Sequence, residues 1–302
     1  MDRDEQEARF TGTGPGADPH NYAAAMKSPD AAHWRKAMEE EYLMHLQNHT
    51  WEIVKLPPGK KAIGSGWVYR VKRNADGSIE RYKGRLVAKG FSQRPGLDYT
   101  EVFAPTARQA SIRLILALAA IEDLHLHSID ISHAFINGRL EEEVYMEQPE
   151  GFQEHGPEYV CKLGRAIYGL HQAGRVWNKD LHGTLTSMGF KRLNSDRSIY
   201  FYARDSLRII MPVVVDDMTL ASKSQQAIDD FIKEISHHHD LRDLGPTTLF
   251  LGIEIQRDRA KHSISLCSGC IDVLGCHHLL RVLEFTQGSF LSAHFSSVPL
   301  ID

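Results

Sequence analysis

The chain has 302 residues, 42% of them hydrophobic and 25% charged, with a net charge of −4. This is a globular composition, long enough for a sizeable core and more than one lobe. It holds no apolar run of the ~18 residues a membrane helix needs, its acidic start (Asp2, Asp4, Glu5, Glu7) fits no secretory or transit signal, and four cysteines make no secreted disulfide scaffold; the expectation is a soluble intracellular protein.

Residues 1–27 carry Gly, Pro and Asp without apolar period and predict a linker or edge. A helix is expected from Ser28-Pro29-Asp30, with Trp34, Met38, Tyr42 and Leu46 on one stripe. Residues 67–72 and 79–88 alternate like strands around Asn74-Ala75-Asp76-Gly77, a hairpin with Asp-Gly as its turn signal. Between Lys60 and Arg94 stand ten basic residues against two acids, interleaved with Trp67, Tyr69, Tyr82 and Phe91. A charge run is usually just a solvated face, but this mixture is the one that phosphate and base contacts both require.

Residues 108–121 predict an apolar helix, followed by a strand from Leu126 to Ile131. Its period of two sets Ile129 and Ile131 opposite Ser128 and Asp130. Another helix is expected from Arg175 to Met188, stopped by Gly189. Residues 207–216 predict a buried strand that ends in carboxylates, with a turn after Met218. Ser222 to about His238 predicts a helix, with Ser222 and Gln225 as its capping box. Leu249 to Ile255 is expected as one more strand. Strands mixed with helices without strict alternation indicate an α+β fold.

Two carboxylate positions carry the chemistry. Asp130 closes one strand, and Asp216 with Asp217 closes another after three valines. Carboxylates at the ends of neighbouring strands suit Mg²⁺, whereas an Asp-Asp pair also simply opens turns. Spacing alone leaves both readings open.

Six blocks bear on that choice: WRKAMEEEYLMHLQNHTWEIVKLP (34–57), GWVYRVKRNADGSIERYKGRLVAKGFSQRPGLDYTEVFAPTA (66–107), SIDISHAFINGRLEEEVYMEQPEGF (128–152), AIYGLHQAGRVW (166–177), VVVDD (213–217) and LRDLGPTTLFLGIEI (241–255). In order and approximate spacing they resemble copia-type retrotransposon reverse transcriptases, over roughly residues 22–266. The resemblance implies a right-handed-palm polymerase whose palm is an antiparallel sheet backed by helices 108–121 and 222–238. Fingers would span about 34–107 and 138–174, and palm about 108–137 and 175–256, with 267–302 a divergent tail. It implies RNA-directed DNA polymerase activity on RNA and DNA template-primers, with deoxynucleoside triphosphates and two Mg²⁺ ions, Mn²⁺ being an alternative. Asp130, Asp216 and Asp217 match the catalytic, metal-holding carboxylates. Phe135 matches the gate that excludes a ribose 2′-hydroxyl, with backbone amides near His133 and Ala134 facing the triphosphate. Tyr168 and Gly169 match the nucleotide pocket. Arg81, Lys83 and Arg85 lie in the fingers hairpin, and Arg242 stands where the family has Lys, near the pyrophosphate exit. Phe250-Leu251-Gly252 resembles the primer grip. By resemblance the setting is cytoplasmic particles or the nucleus.

The chain also departs from the family pattern. Val214 replaces the tyrosine of the YVDD box, Gly174 replaces a proline, and Pro212 enters a strand where it removes a ladder donor. The match dissolves after Leu266, and the sequence is read as a fragment without protease, integrase or ribonuclease H parts. The alternative function is therefore a non-catalytic nucleic-acid-binding remnant. A third reading is a zinc module on Cys267, Cys270, Cys276, His277 and His278, where Cys-x2-Cys is a proper first half but adjacent Cys-His-His a poor second. His237, His238 and His239 are expected at a helix end.

Overall fold

The structure, a computed structural model, describes residues 16–74, 76–268 and 283–285. Helices α1 (Tyr22–Lys27) and α2 (Ala31–Gln47) precede strands β1 (Trp51–Lys55), β2 (Ser65–Arg73) and β3 (Ile79–Ala88). Helix α3 (Gln109–Ile121), strand β4 (His125–Ile131), the one-turn helix α4 (Ala134–Asn137) and strands β5 (Arg139–Glu147) and β6 (Tyr159–Arg165) follow. Helix α5 (Ala173–Ser187) leads to β7 (Lys191–Arg192), β8 (Ile199–Arg204), β9 (Leu207–Val214) and β10 (Asp217–Ser222). The rest is α6 (Gln225–Ile235), β11 (Leu241–Pro246), β12 (Leu249–Phe250), β13 (Ile253–Asp258), β14 (Ser263–Ser268) and β15 (Leu283–Phe285). The architecture is mixed α/β, with antiparallel ladders between the strands.

The chain forms two units. One comprises Pro105–Ser132 and the described chain from Leu185 on. Its sheet has the order β11-β4-β10-β9-β8-β7, so β4 lies between two strands that come much later in sequence. Helices α3 and α6 both pack on β9 and β10. The apolar period of α3 buries Ile112, Ile115, Leu116 and Ala119 against Leu126, Val214 and Ala221. Each such Ile or Leu contributes about 1.5–3 kcal/mol on burial. Pro212 sits inside β9, as the sequence indicates, and the ladder shows its effect. Pairs form at Asp217–Val214 and Met218–Val213, then resume at Ala221–Ile210 and Ser222–Ile209, leaving Pro212 and Met211 in the gap. Missing one N–H, β9 keeps its place because Pro212 still pairs with Ile199 of β8.

The second unit comprises the described chain up to Ala104 and His133–Thr184. Helix α2 covers the β2–β3 hairpin with Trp34, Met38 and Tyr42, and Trp34 meets the edges of Tyr69 and Tyr82. At Gly84 a Cβ would already touch the α2 backbone at 3.4 Å, so glycine lets helix and strand close up. The separate sheet β1-β6-β5 completes this core through Met146, Cys161 and Leu163.

Five expectations change. The described part of 1–27 holds helix α1, capped by the Asn21 side chain and burying Ala25, because Tyr-Ala-Ala-Ala-Met is a helix former once capped. Leu46 is exposed, and His45 takes its place on the buried stripe of α2, since 3.6 residues per turn carries the stripe past an i+4 series. Helix α6 is capped by Ser224, whereas Ser222 ends β10 and donates to the Arg208 carbonyl. No turn follows Met218; the turn is Val215-Asp216, and Asp217 opens β10. Leu249–Ile255 is a tight hairpin, because Leu251 (φ 51°) and Gly252 (φ 76°) both adopt the left-handed conformation that two-residue turns need. The histidine run does follow the end of α6.

Candidate active site

The acids of the first unit are set by strand register. Asp217 lies directly across from Asp130 on β10, and Arg242 lies across from it on β11. Directly opposed residues share a face, so the strip continues inward through Ser128, whose hydroxyl is 2.8 Å from Thr247 and 3.4 Å from Thr219. Asp216 occupies the hairpin turn, largely buried, and its carbonyl accepts the Ile131 N–H at 3.0 Å. Asp130, Asp216 and Asp217 thus come to one end of one sheet. The turn stores strain: Val215 has φ 57°, a region β-branched residues rarely enter and which costs about 1–3 kcal/mol.

Arg242 is engaged with Asp130, at 3.0 Å through Nε and 2.8 Å through Nη2. On the opposite face His127 pairs with Asp243, whose carboxyl is held below its usual range; burial works against this, but the Gly245 N–H and His127 outweigh it. Three carboxylates with no soft ligand suit a hard divalent cation. Among the described residues, no three acidic, histidine or cysteine side chains gather closely enough to hold a metal alone. The donor set still fits Mg²⁺, which takes one or two carboxylates and draws its other oxygens from water and substrate phosphates.

The second unit groups a different set. Helix α4 starts at His133, itself left-handed (φ 53°), and Arg165 fixes it by donating to the Ile136 and Asn137 carbonyls at 3.1 and 3.3 Å. Phe135 on that turn meets Tyr168 edge-on, with centroids 4.7 Å apart. The Arg85 guanidinium lies 4.0 Å over the Tyr168 ring. Each contact contributes on the order of 1 kcal/mol. The Ala88 N–H donates to the Tyr168 carbonyl at 2.8 Å, and a Cβ on Gly169 would fall 2.1 Å from the Ala88 oxygen. Only glycine fits there. Burial pushes the His133 imidazole down, and nearby Lys83 and Arg85 add to this against the pull of Glu41.

On β3 the period of two puts Arg81, Lys83 and Arg85 on one face, while Tyr82, Gly84 and Leu86 face α2. The wider basic run is less available than its sequence indicates. Lys60 pairs with Glu143, Arg94 with Asp98, and Arg73 donates to the Gly16 and Gly77 carbonyls. Trp67, Tyr69 and Tyr82 are corrections too, since all three pack into the core and leave Phe91 as the exposed aromatic of that stretch. Phe250 is buried in the first unit's core, so its hairpin offers only the Leu251-Gly252 backbone turn.

Comparison with known proteins matches residues 48–276 to the family described as reverse transcriptase (RNA-dependent DNA polymerase). The chain belongs to this family. It is 38% identical over 252 residues to the retrovirus-related Pol polyprotein from transposon TNT 1-94 of Nicotiana tabacum, covering 82% of this chain and 19% of that one. It is 40% identical over 226 residues to the polyprotein from transposon RE1 of Arabidopsis thaliana, covering 74% and 15%. A second Arabidopsis thaliana polyprotein, from transposon RE2, is 40% identical over 243 residues, covering 80% and 16%. The chain therefore spans less than a fifth of each of these three relatives, all retrovirus-related Pol polyproteins from plant transposons.

Within this reverse transcriptase chain, two residues escaped the sequence reading. Gln93 and Gln172 are buried and joined at 3.0 Å; Gln93 also accepts the His171 N–H, and Gln172 donates to the Asp98 carbonyl. A buried amide must find such partners, so a glutamine between Leu170 and Ala173 was the available signal. Cys270, Cys276, His277 and His278 lie outside the described residues, so the zinc reading has no structural counterpart there. Among the described residues no helix is long and apolar enough to cross a membrane.

Proposed function

We propose that the chain is the polymerising part of a Pol polyprotein, an RNA-directed DNA polymerase that extends a primer on RNA or DNA templates. The observation that carries this reading is the arrival of Asp130, Asp216 and Asp217, from distant segments, at one end of one sheet. In this reading the first unit is the palm and the second the fingers. The primer 3′-oxygen attacks the α-phosphorus of a deoxynucleoside triphosphate as its proton passes to water; the bond from the α-phosphorus to the α–β bridging oxygen breaks and pyrophosphate leaves. Asp130, Asp216 and Asp217 would hold Mg²⁺, two ions with Mn²⁺ as a substitute, whose chemistry is charge stabilisation on the attacking and leaving oxygens. Arg242 releases Asp130 as the site loads and turns its guanidinium to the departing phosphates, a fork suited to them. Phe135 takes the space of a 2′-hydroxyl, and Tyr168, Gly169 and the Arg81, Lys83 and Arg85 face contact the nucleotide. The Leu251-Gly252 turn supports the primer strand.

The Arg242–Asp130 ion pair favours one other reading, in which the carboxylates stay closed and the chain only binds nucleic acid. Primer extension on RNA and DNA templates separates the two. Extension that needs Mg²⁺ and vanishes in Asp216→Asn is the expected result. A chain that binds template-primer but extends nothing, with Val214→Tyr equally inert, overturns the polymerase.

A further inference from the structure

Of the aromatics expected to meet bases in the basic stretch, Trp67 and Tyr69 are buried and Tyr82 is half-buried against α2, which leaves one exception. Phe91 is 83% exposed, in the middle of a 3-10 turn over Gly90–Ser92. Its loop is held firmly. Lys89 N–H donates to the Gly64 carbonyl and Gln93 N–H to the Gly90 carbonyl, both at 2.8 Å. A Cβ on Gly90 would lie 2.0 Å from the Gly169 oxygen, so the backbone under the ring sits directly on the Tyr168-Gly169 turn. The buried Gln93–Gln172 pair locks the loop from inside. The ring is thus presented to solvent by a fixed support. Lys89, exposed, precedes it in the chain, Arg94 follows it and pairs with Asp98, and β3, with Arg81, Lys83 and Arg85 on one face, leads directly into the loop. An exposed ring beside cations is the chemistry that holds single strands, because bases stack on the ring while cations meet the phosphates. Leu97, Val102 and Phe103 in the same loop are also exposed, but the acids Asp98 and Glu101 stand directly beside Leu97 and Val102.

We propose that Phe91 is a stacking platform for an unpaired base of a single nucleic-acid strand, the template strand if the polymerase reading holds. The identity of the strand as template rests on the polymerase reading, whereas the stacking itself does not. The test is fluorescence anisotropy of labelled single-stranded DNA and RNA oligonucleotides titrated with the full chain. Phe91→Ala should weaken binding about five- to a hundredfold, whatever the base sequence. Phe91→Leu, equally apolar but without a π face, should lose nearly as much. Phe91→Trp should bind like the wild type, with its emission quenched on binding; Trp34, Trp51, Trp67 and Trp177 are all buried, so the signal belongs to position 91. Wild-type affinity in Phe91→Ala would make the ring a bystander, and full affinity in Phe91→Leu would make it an apolar dock for a protein; either overturns the proposal. Binding needs no chemistry. A chain that binds strands through Phe91 yet extends no primer sinks the polymerase and leaves this inference standing, and extension with an indifferent Phe91 does the reverse.

Discussion

The two units position their polar groups by different means. In the first, register does the work: Asp130 is aligned with Asp217 and Arg242 because three strands pair, and the Arg242 contact spans 112 residues of sequence. In the second, the groups are placed by turns and glycines: His133 left-handed before α4, Gly169 against Ala88, and Gly90 against Gly169. A sheet end fixes atoms to within a backbone, as metal-assisted chemistry requires. A hairpin face and a loop present side chains that retain some freedom, which suits contact with a substrate of varied sequence. In the proposed function, chemistry belongs to the sheet end of the first unit and nucleic-acid contact to the hairpin face of the second.

The largest effect expected from that division is at the sheet end. Asp130→Asn should lower primer extension about 1,000-fold or more, since several kcal/mol of charge stabilisation are lost, while template-primer affinity changes less than about threefold. Equal losses in both would break the division. Next, Phe135→Val should shift the ratio of ribonucleotide to deoxynucleotide incorporation by about a hundredfold, because overlap with a 2′-hydroxyl is relieved and no hydrogen-bond partner was there to offset its desolvation. An unchanged ratio in an active variant would mean that the ring only packs on Tyr168. Charge reversal of Lys83 and Arg85 together should weaken binding about tenfold or more and flatten the plot of log affinity against log salt by roughly one to two units. An unaltered slope would return that face of β3 to plain solvation.

The smallest effect concerns the second unit's interior. Burial would raise the Glu41 carboxyl, but His45 beside it and the Leu86 N–H hold it below the usual range. A depressed carboxyl contributes stability above its unfolded value and loses it as pH falls through the folded one. Acid unfolding of the wild type should therefore include a Glu41 component below the ordinary glutamate range. Glu41→Gln should lack that component and be about 1 kcal/mol less stable at neutral pH. Parallel pH profiles for the two proteins, followed by circular dichroism, would count against it.

Local features were readable in the sequence. The β2–β3 hairpin follows from alternation around Asp76-Gly77, and α3 from its apolar period. The family blocks named the acids in order, but not that Asp217 rather than Asp216 opposes Asp130, since register is a property of paired strands. The Arg242 partnership was hidden for the same reason. The break at Leu251 escaped notice because a leucine at positive φ gives no local signal, and Gly252 alone supports either reading. Trp67 and Tyr69 misled because alternation says which residues share a face and leaves open which face the core will take.

The place of β4 has a consequence for synthesis. Both of its neighbours, β10 and β11, emerge from the ribosome after it, and Arg242 follows Asp130 by 112 residues. Asp217, where β10 begins, follows Asp130 by 87 residues, so at about 5–20 residues per second there are roughly 4–17 s during which a strand carrying Leu126, Ile129 and Ile131 has neither edge satisfied. An open apolar strand is a template for the wrong partner. Messages cut or stalled between the two carboxylate segments should therefore yield aggregating chains rather than half-working ones.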